Sequence, residues 1–200
     1  MSNPAAPFEW SGGHPALDFV NTLDERPFDR PIENLATYRD LVRFTDLAGL
    51  IEPSLARKLG VSGGPATLRV ARQARVLREH LYNLLAAVDG HRRVSRRDLD
   101  GIAAAVRSAH AAQVLMASPS HRLASYRWSR SVTIDIPLHV CALAVERLLT
   151  DVDRGRIKKC RASDCAVYFV DTSKAHRRQW CSMANCGNRE KQKRWRSTRR

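Results

Sequence analysis

The sequence predicts a mainly α-helical protein, in which an N-terminal helical bundle with a small β-hairpin precedes a small cysteine-rich domain. Two observations predict the bundle. Apolar residues recur at steps of three and four over residues 66–89, and similar helical patterns cover 95–112 and 137–149. A third observation predicts the cysteine-rich domain: four of the five cysteines lie near the C-terminus. We therefore divide the chain into residues 1–153 and 154–200.

Length and composition are those of a soluble globular protein. A chain of 200 residues with 44% hydrophobic residues can bury a substantial core. No apolar run approaches the roughly twenty residues that cross a bilayer, and the polar start lacks the apolar core of a signal peptide. We therefore expect a cytoplasmic protein with no membrane partner, whose cysteines stay reduced.

The N-terminal domain begins with a predicted short helix and a candidate ligand site. Pro15 suits the first turn of a helix that continues through Leu23. Four polar residues at or near this helix could form a small site for a small-molecule effector: His14, Asp18, Asn21 and Arg26. Alternatively they cap the helix and hydrogen-bond to neighbouring loops, which is the commoner role.

The next helices are predicted from apolar spacing. Residues 33–48 fit an amphipathic helix, and Pro53 begins a short helix after it. The pair could be mistaken for a DNA-reading helix-turn-helix. However, the second helix offers only Arg57 and Lys58 as basic side chains, and a plain helical hairpin explains the pattern as well.

The long predicted helix over 66–89 carries a row of arginines on its polar face: Arg69, Arg72, Arg75 and Arg78. We interpret them as a solvated face or as partners of acids elsewhere. In the following helix, Ser95 and Asp98 have the spacing of a capping box.

The rest of the N-terminal domain contains a change of period. Residues 113–136 are rich in β-branched and aromatic residues and predict a β-hairpin. Pro137 then opens a last helix, whose apolar stripe includes Cys141. The fifth cysteine is therefore expected in the core rather than at a metal.

The four remaining cysteines form two CX4C pairs separated by fifteen residues: Cys160 with Cys165, and Cys181 with Cys186. This is a metal-site spacing. Four thiolates saturate tetrahedral Zn²⁺ and leave no position for water, which indicates one structural zinc ion. The alternatives are two disulfides or four unrelated thiols, and a reducing compartment favours zinc over both.

The C-terminal domain also holds nearly all of the positive charge. Fifteen Lys and Arg face three Asp and Glu from Arg154 onward, so +12 of the formal net charge of +14 lies there. Such a density indicates a polyanionic partner, with nucleic acid as the first candidate. A helix beyond Gly187 and the loop before it supply the candidate contacts: Arg189, Lys193, Arg196, Arg200, Arg177 and Arg178.

Two stretches resemble known families. Cys186 runs directly into Gly187, Asn188 and Arg189, as in the CGNR zinc-finger family, and the residues GGHPALDFVNTLDERP resemble the ABATE-like domain that commonly precedes this finger. Members are described as stress-induced transcription regulators. The resemblance implies that the four paired cysteines bind zinc. The order of knuckle, hairpin and helix is similar to a treble-clef finger.

These observations favour a regulator over an enzyme. The sequence lacks a Gly-rich phosphate loop, a Ser-His-Asp set and an open metal site, and the finger has a single histidine, His176. We expect a zinc-binding transcription regulator that binds DNA and whose N-terminal domain senses a signal or forms a homodimer. The alternatives are an RNA-binding protein using the same finger, or a protein-interaction module.

Overall fold

The computed structural model of the protein describes residues 8–118, 123–130 and 132–198. The helices are α1 Pro15–Val20, α2 Tyr38–Leu47, α3 Pro53–Gly60, α4 Pro65–Asp89, α5 Arg96–Ala111, α6 Ile136–Asp151 and α7 Asn188–Ser197. The strands are β1 Leu23–Asp24, β2 Ile32–Glu33, β3 Gln113–Ala117, β4 Ala124–Trp128, β5 Ile157–Lys159 and β6 Tyr168–Val170. The predicted mainly α fold with small hairpins is confirmed.

The contacts between residues divide the chain into two compact units. Residues 8–34 and 148–198 belong to one, called unit 1, and residues 35–147 to the other, called unit 2. The division at residue 153 follows the order of motifs along the sequence. The compact units instead follow which segments are in contact, and they group the first 34 residues with the finger.

Unit 2 is organised around α4. This helix packs against α5 and α2, and α2 packs against α3. Leu41, Leu59, Val70, Leu77 and Leu81 are buried in its core. The amphipathic patterns therefore identified the helices of this unit correctly.

Two helix starts differ from the sequence expectation. Helix α2 begins at Tyr38 rather than near residue 33, because Thr37 forms a capping box with Asp40 and the segment before it pairs with β1. Ser95 is the N-cap of α5, but its side chain makes no capping hydrogen bond. Asp98 instead lies 2.8 Å from Nδ1 of His80 on α4.

Strands β3 and β4 form the predicted antiparallel hairpin, with Leu115 opposite Tyr126. Cys141 is 1% exposed, as expected for a core residue, and burial raises the pKa of its thiol. Among the described residues, no helix is both long and apolar enough to cross a bilayer.

Candidate metal centre and nucleic-acid interface

The first cysteine pair lies in the turn of the β5–β6 hairpin. The strands are antiparallel, with Ile157 opposite Val170. The Cys160 amide donates to the Val167 carbonyl over 2.8 Å, and the Cys165 amide donates to the Ala162 carbonyl over 3.1 Å. The hairpin therefore closes into a knuckle that directs both thiols to one side. The sequence predicted the hairpin after this knuckle, whereas in the structure the knuckle is the turn of the hairpin, with β5 before it and β6 after it.

The second cysteine pair lies where a tight turn enters α7. The Ser182 side chain accepts a hydrogen bond from the Asn185 amide and begins a short π-helical segment, Met183–Gly187. A Cβ on Gly187 would lie 2.8 Å from Sδ of Met183, so a larger residue does not fit without rearrangement. This turn brings Cys186 back toward Cys181, and α7 follows immediately.

The four thiols meet in one cluster, which we call the cage. All four Sγ atoms lie within 4.8 Å of one another, with 3.8 Å between Cys165 and Cys181 and 3.6 Å between Cys181 and Cys186. A tetrahedral zinc ion with Zn–S bonds of about 2.3 Å requires S–S separations near 3.8 Å. The donor set and its dimensions therefore fit one zinc ion.

The thiols would ionise unequally without a cation. Hydrogen bonds from Cys165 and Cys181 lower the pKa of Cys160, whereas the interaction of Cys165 with Cys160 raises the pKa of Cys165. A cation between them removes this competition, because it stabilises all four thiolates together. Trp180 packs against the cluster formed by the cage and Phe169.

One carboxylate joins the first knuckle to α7. Asp164 accepts hydrogen bonds from Arg189 at 2.9 Å and from Lys193 at 3.4 Å. The same Arg189 nitrogen lies 3.3 Å from Sγ of Cys186. Arg189 and Lys193 therefore face the finger itself, and Arg189 brings a positive charge next to a zinc-ligating thiolate.

A second carboxylate organises the loop between the knuckles. Asp171 is fully buried and accepts hydrogen bonds from Lys158 at 2.7 Å, from the Ser173 hydroxyl at 2.6 Å and from the Arg178 amide at 2.9 Å. Burial acts to raise the pKa of Asp171, but Lys158 and the hydrogen bonds hold it well below its usual range. The Arg178 guanidinium lies 4.4 Å from the Phe169 ring centroid, so Arg178 also belongs to the finger's interior.

The N-terminal segment covers the open edge of β6. The Asn21 side chain donates to the Tyr168 carbonyl and accepts from the Tyr168 amide, each over 3.0 Å. The Val170 amide donates to the Gly12 carbonyl over 2.8 Å. Asn21 thus pairs with β6 as the backbone of a neighbouring strand would. Asn21 is also the C-cap of α1, which ends at Val20 rather than at Leu23 as predicted.

Three further residues of the predicted ligand site have different surroundings. His14 caps α1 by accepting from the Ala16 amide, and Asp18 accepts from the Gly12 amide over 2.8 Å. A Cβ on Gly12 would lie 2.7 Å from that Asp18 carboxylate, which explains the glycine. Arg26 and Asn21 line a cleft of about 320 Å³ beside the cage, together with Arg189. His14 and Asp18 are not among its lining residues.

The predicted nucleic-acid contacts fall into two groups. Arg178, Arg189 and Lys193 make hydrogen bonds within the finger, although Arg189 and Lys193 are also exposed. Arg177 and Arg196 are exposed, and Arg200 lies outside the described residues. At 3.6 residues per turn, the side of α7 opposite Arg189 and Lys193 presents three residues that are not among the predicted contacts: Lys191, Arg194 and Trp195. Trp195 is 56% exposed. We call these three residues the outer face of α7.

Comparison with known families agrees with this site. The family model of ABATE, described as "Putative stress-induced transcription regulator", matches residues 13–152, and that of the CGNR zinc finger matches residues 156–199. The chain belongs to the ABATE family and carries a C-terminal CGNR zinc finger, whose four cysteines form a site for one zinc ion. No curated protein matches the chain.

Sequence reasoning did not identify the roles of the finger's acids. The segment from Arg154 onward has only three: Asp164, Asp171 and Glu190. Each is bonded to a cation of the same segment, Glu190 to Lys193 over 2.9 Å. A rare acid in a strongly basic segment was the signal that could have revealed them.

Proposed function

We propose that the protein is a non-enzymatic transcription regulator whose zinc finger binds DNA. The observation that carries the proposal is the outer face of α7. Among the described residues, Lys191 and Arg194 form no ion pair with the finger's three acids, whose partners are Lys158, Arg189 and Lys193. Cations that the fold does not use can neutralise phosphates.

Zinc has a structural role in this proposal. When bound, the ion fixes both knuckles, and with them the start of α7. Arg189 and Asp164 then hold the inner side of the helix against the first knuckle, so the outer face has a defined direction. A helix fixed in this way can present Lys191 and Arg194 to adjacent phosphates and Trp195 to a base or sugar.

A competition experiment tests the choice of nucleic acid. Zinc-loaded full-length protein is bound to labelled duplex DNA and challenged with unlabelled duplex DNA or a structured RNA of equal length. We expect the DNA to compete better. Stronger competition by RNA would replace the DNA proposal with the RNA-binding alternative, and no binding to either at low salt would favour a protein-interaction module.

A pair of double variants tests the surface. Lys191→Ala with Arg194→Ala removes two cations from the outer face, whereas Arg57→Ala with Lys58→Ala removes two cations from α3. We expect the first variant to bind DNA at least about tenfold more weakly and the second to bind like the wild type. Equal losses would mean that binding follows net charge rather than this surface, and a larger loss for the α3 variant would favour a helix-turn-helix reader.

A homodimer is a second role that we propose for the N-terminal domain. It is supported by the β3–β4 hairpin, where Leu115 and Tyr126 lie opposite each other and are 63% and 64% exposed. A second copy could cover this apolar surface. In sedimentation velocity, we expect Leu115→Ser to dissociate a dimer that the control Val61→Ser, on an 84% exposed residue, leaves intact. A monomeric wild type would contradict this role.

A further inference from the structure

Three of the four arginines in the row on α4 have hydrogen-bond partners within the protein, and the fourth has none among the described residues. Arg69 donates to Asp135 over 3.0 Å, Arg75 donates to the carbonyls of residues 35 and 36, and the buried Arg78 donates to Glu79 over 3.0 Å. Arg72 is exposed and has no hydrogen bond or ion pair among the described residues. A guanidinium without a partner on an otherwise paired row is available to an external anion.

Arg72 stands at the edge of a cleft of about 600 Å³ within unit 2, formed by α4, α5 and the start of α6. Its walls are mainly apolar and include Val76, Leu77, Ala104 and Leu138. Arg72 also borders the groove that continues toward the N-terminus of α5. Volumes from about 300 to 1,000 Å³ with apolar walls and a few polar groups are typical of sites for small organic molecules.

A buried histidine in the cleft provides a second, independent observation. His139 is only 8% exposed, and its Nδ1 atom has no hydrogen-bond partner among the described residues. Its Nε2 atom lies 3.4 Å from the Ser108 hydroxyl, and its ring lies 5.8 Å from that of Trp128. A buried polar atom without a partner has a free-energy cost, which a hydrogen-bonding ligand would remove.

The acids that border the cleft and its groove are already used. Asp135 is paired with Arg69, and Glu79, which lines the groove, is paired with Arg78. Asp98 lies 2.8 Å from Nδ1 of His80. His80 in turn packs on Gly101, where a Cβ would lie 2.5 Å from its Nε2 atom. The charges at the cleft are therefore compensated apart from Arg72, which leaves a local positive potential at its edge.

We propose that this cleft binds a small organic acid, with the carboxylate on Arg72 and an apolar body against Val76, Leu77 and Leu138. His139 also lines the cleft and supplies a further hydrogen bond to the ligand. The site differs from the four residues predicted from the sequence, which lie in unit 1. It goes beyond nucleic-acid binding and gives the N-terminal domain a defined class of effector.

Benzoate is a suitable probe, because it joins one carboxylate to one apolar ring. It is titrated into zinc-loaded, ¹⁵N-labelled full-length protein without nucleic acid, and amide shifts of Val76, Gly101 and Ser108 are followed. We expect saturable shifts below about 10 mM, with affinity about tenfold lower for neutral benzamide and for acetate, which lacks the ring.

Matched variants locate the site. Arg72→Ala should weaken benzoate binding about tenfold or more, whereas Arg107→Ala, which removes an exposed arginine of α5 outside the cleft, should leave it unchanged. Both side chains are exposed, so both variants should fold. The absence of saturable shifts, equal binding of benzamide, or equal effects of the two variants would each overturn the proposal. None of these results depends on whether the finger binds DNA.

Discussion

Replacing Asn21 by alanine separates a structural role of this residue from a ligand-binding role. The Asn21 amide satisfies both backbone groups of Tyr168, and Tyr168 is 1% exposed. Water cannot easily replace a partner at such a site. Each unsatisfied buried group costs about 1 to 3 kcal/mol, so the loss of two partners should destabilise unit 1 by about 2 to 6 kcal/mol.

Hydrogen exchange measures this loss where it occurs. In zinc-loaded full-length protein, exchange of the amides from Tyr168 to Val170 should accelerate by roughly 30-fold or more, because each 1.4 kcal/mol corresponds to about a factor of ten. Helix α4 should keep its protection, since Asn21 and its partner Tyr168 both lie in unit 1. The control Asn83→Ala removes an asparagine of unit 2 and should leave β6 unchanged.

Unchanged exchange at β6 in Asn21→Ala would refute the structural interpretation. It would mean that the side chain is not needed at the edge of β6, and the predicted ligand site around Asn21 and Arg26 would regain support. A loss of protection in both units would instead mean that the two units unfold together.

Three further predictions follow from the finger and α1. Cys181→Ser should abolish stoichiometric zinc in metal analysis, and it should remove hydrogen-exchange protection from the finger while α4 keeps its protection. A finger that stays protected without metal would contradict the structural role of zinc. Asp164→Ala should speed zinc transfer to a chelator about tenfold, because Arg189 would lose the carboxylate that holds it beside Cys186, whereas the exposed control Asp100→Ala should not. Burial raises the pKa of Asp18 to about 6, so the contribution of this carboxyl group to stability falls as pH rises from about 4 to 6. Asp18→Asn should therefore stabilise unit 1 by about 1 kcal/mol near pH 7, after allowance for solvent screening. A lower melting temperature of this variant would contradict the prediction.

Local signals predicted most of the fold. The helices α3, α4 and α5 follow from apolar period and turn residues, and the cage follows from cysteine spacing. The family resemblance, drawn from motifs at both ends of the chain, is confirmed by the two family matches. These features depend on residues close together in the sequence, which is why periodicity and spacing suffice.

Contacts between distant segments could not be predicted in the same way. The bonds from Asn21 to Tyr168 join residues 147 positions apart, so helical spacing alone made Asn21 look like part of a ligand site. The spacing of Arg189 and Lys193 puts both on one face of α7. Whether that face points to a ligand or to the finger depends on Asp164, which lies 25 positions from Arg189 in the sequence. Only the folded chain shows that the two residues are in contact.

The salt dependence of DNA binding tests the central claim most directly. The claim is that a zinc-held finger presents cations that its own acids do not use. If about four phosphates are neutralised, log K for zinc-loaded full-length protein on duplex DNA should fall against log salt with a slope of roughly −3 to −4. Lys191→Ala with Arg194→Ala should reduce that slope by about two, and Arg57→Ala with Lys58→Ala should leave it unchanged. A wild-type slope near zero, or an unchanged slope in the α7 variant, would contradict the account.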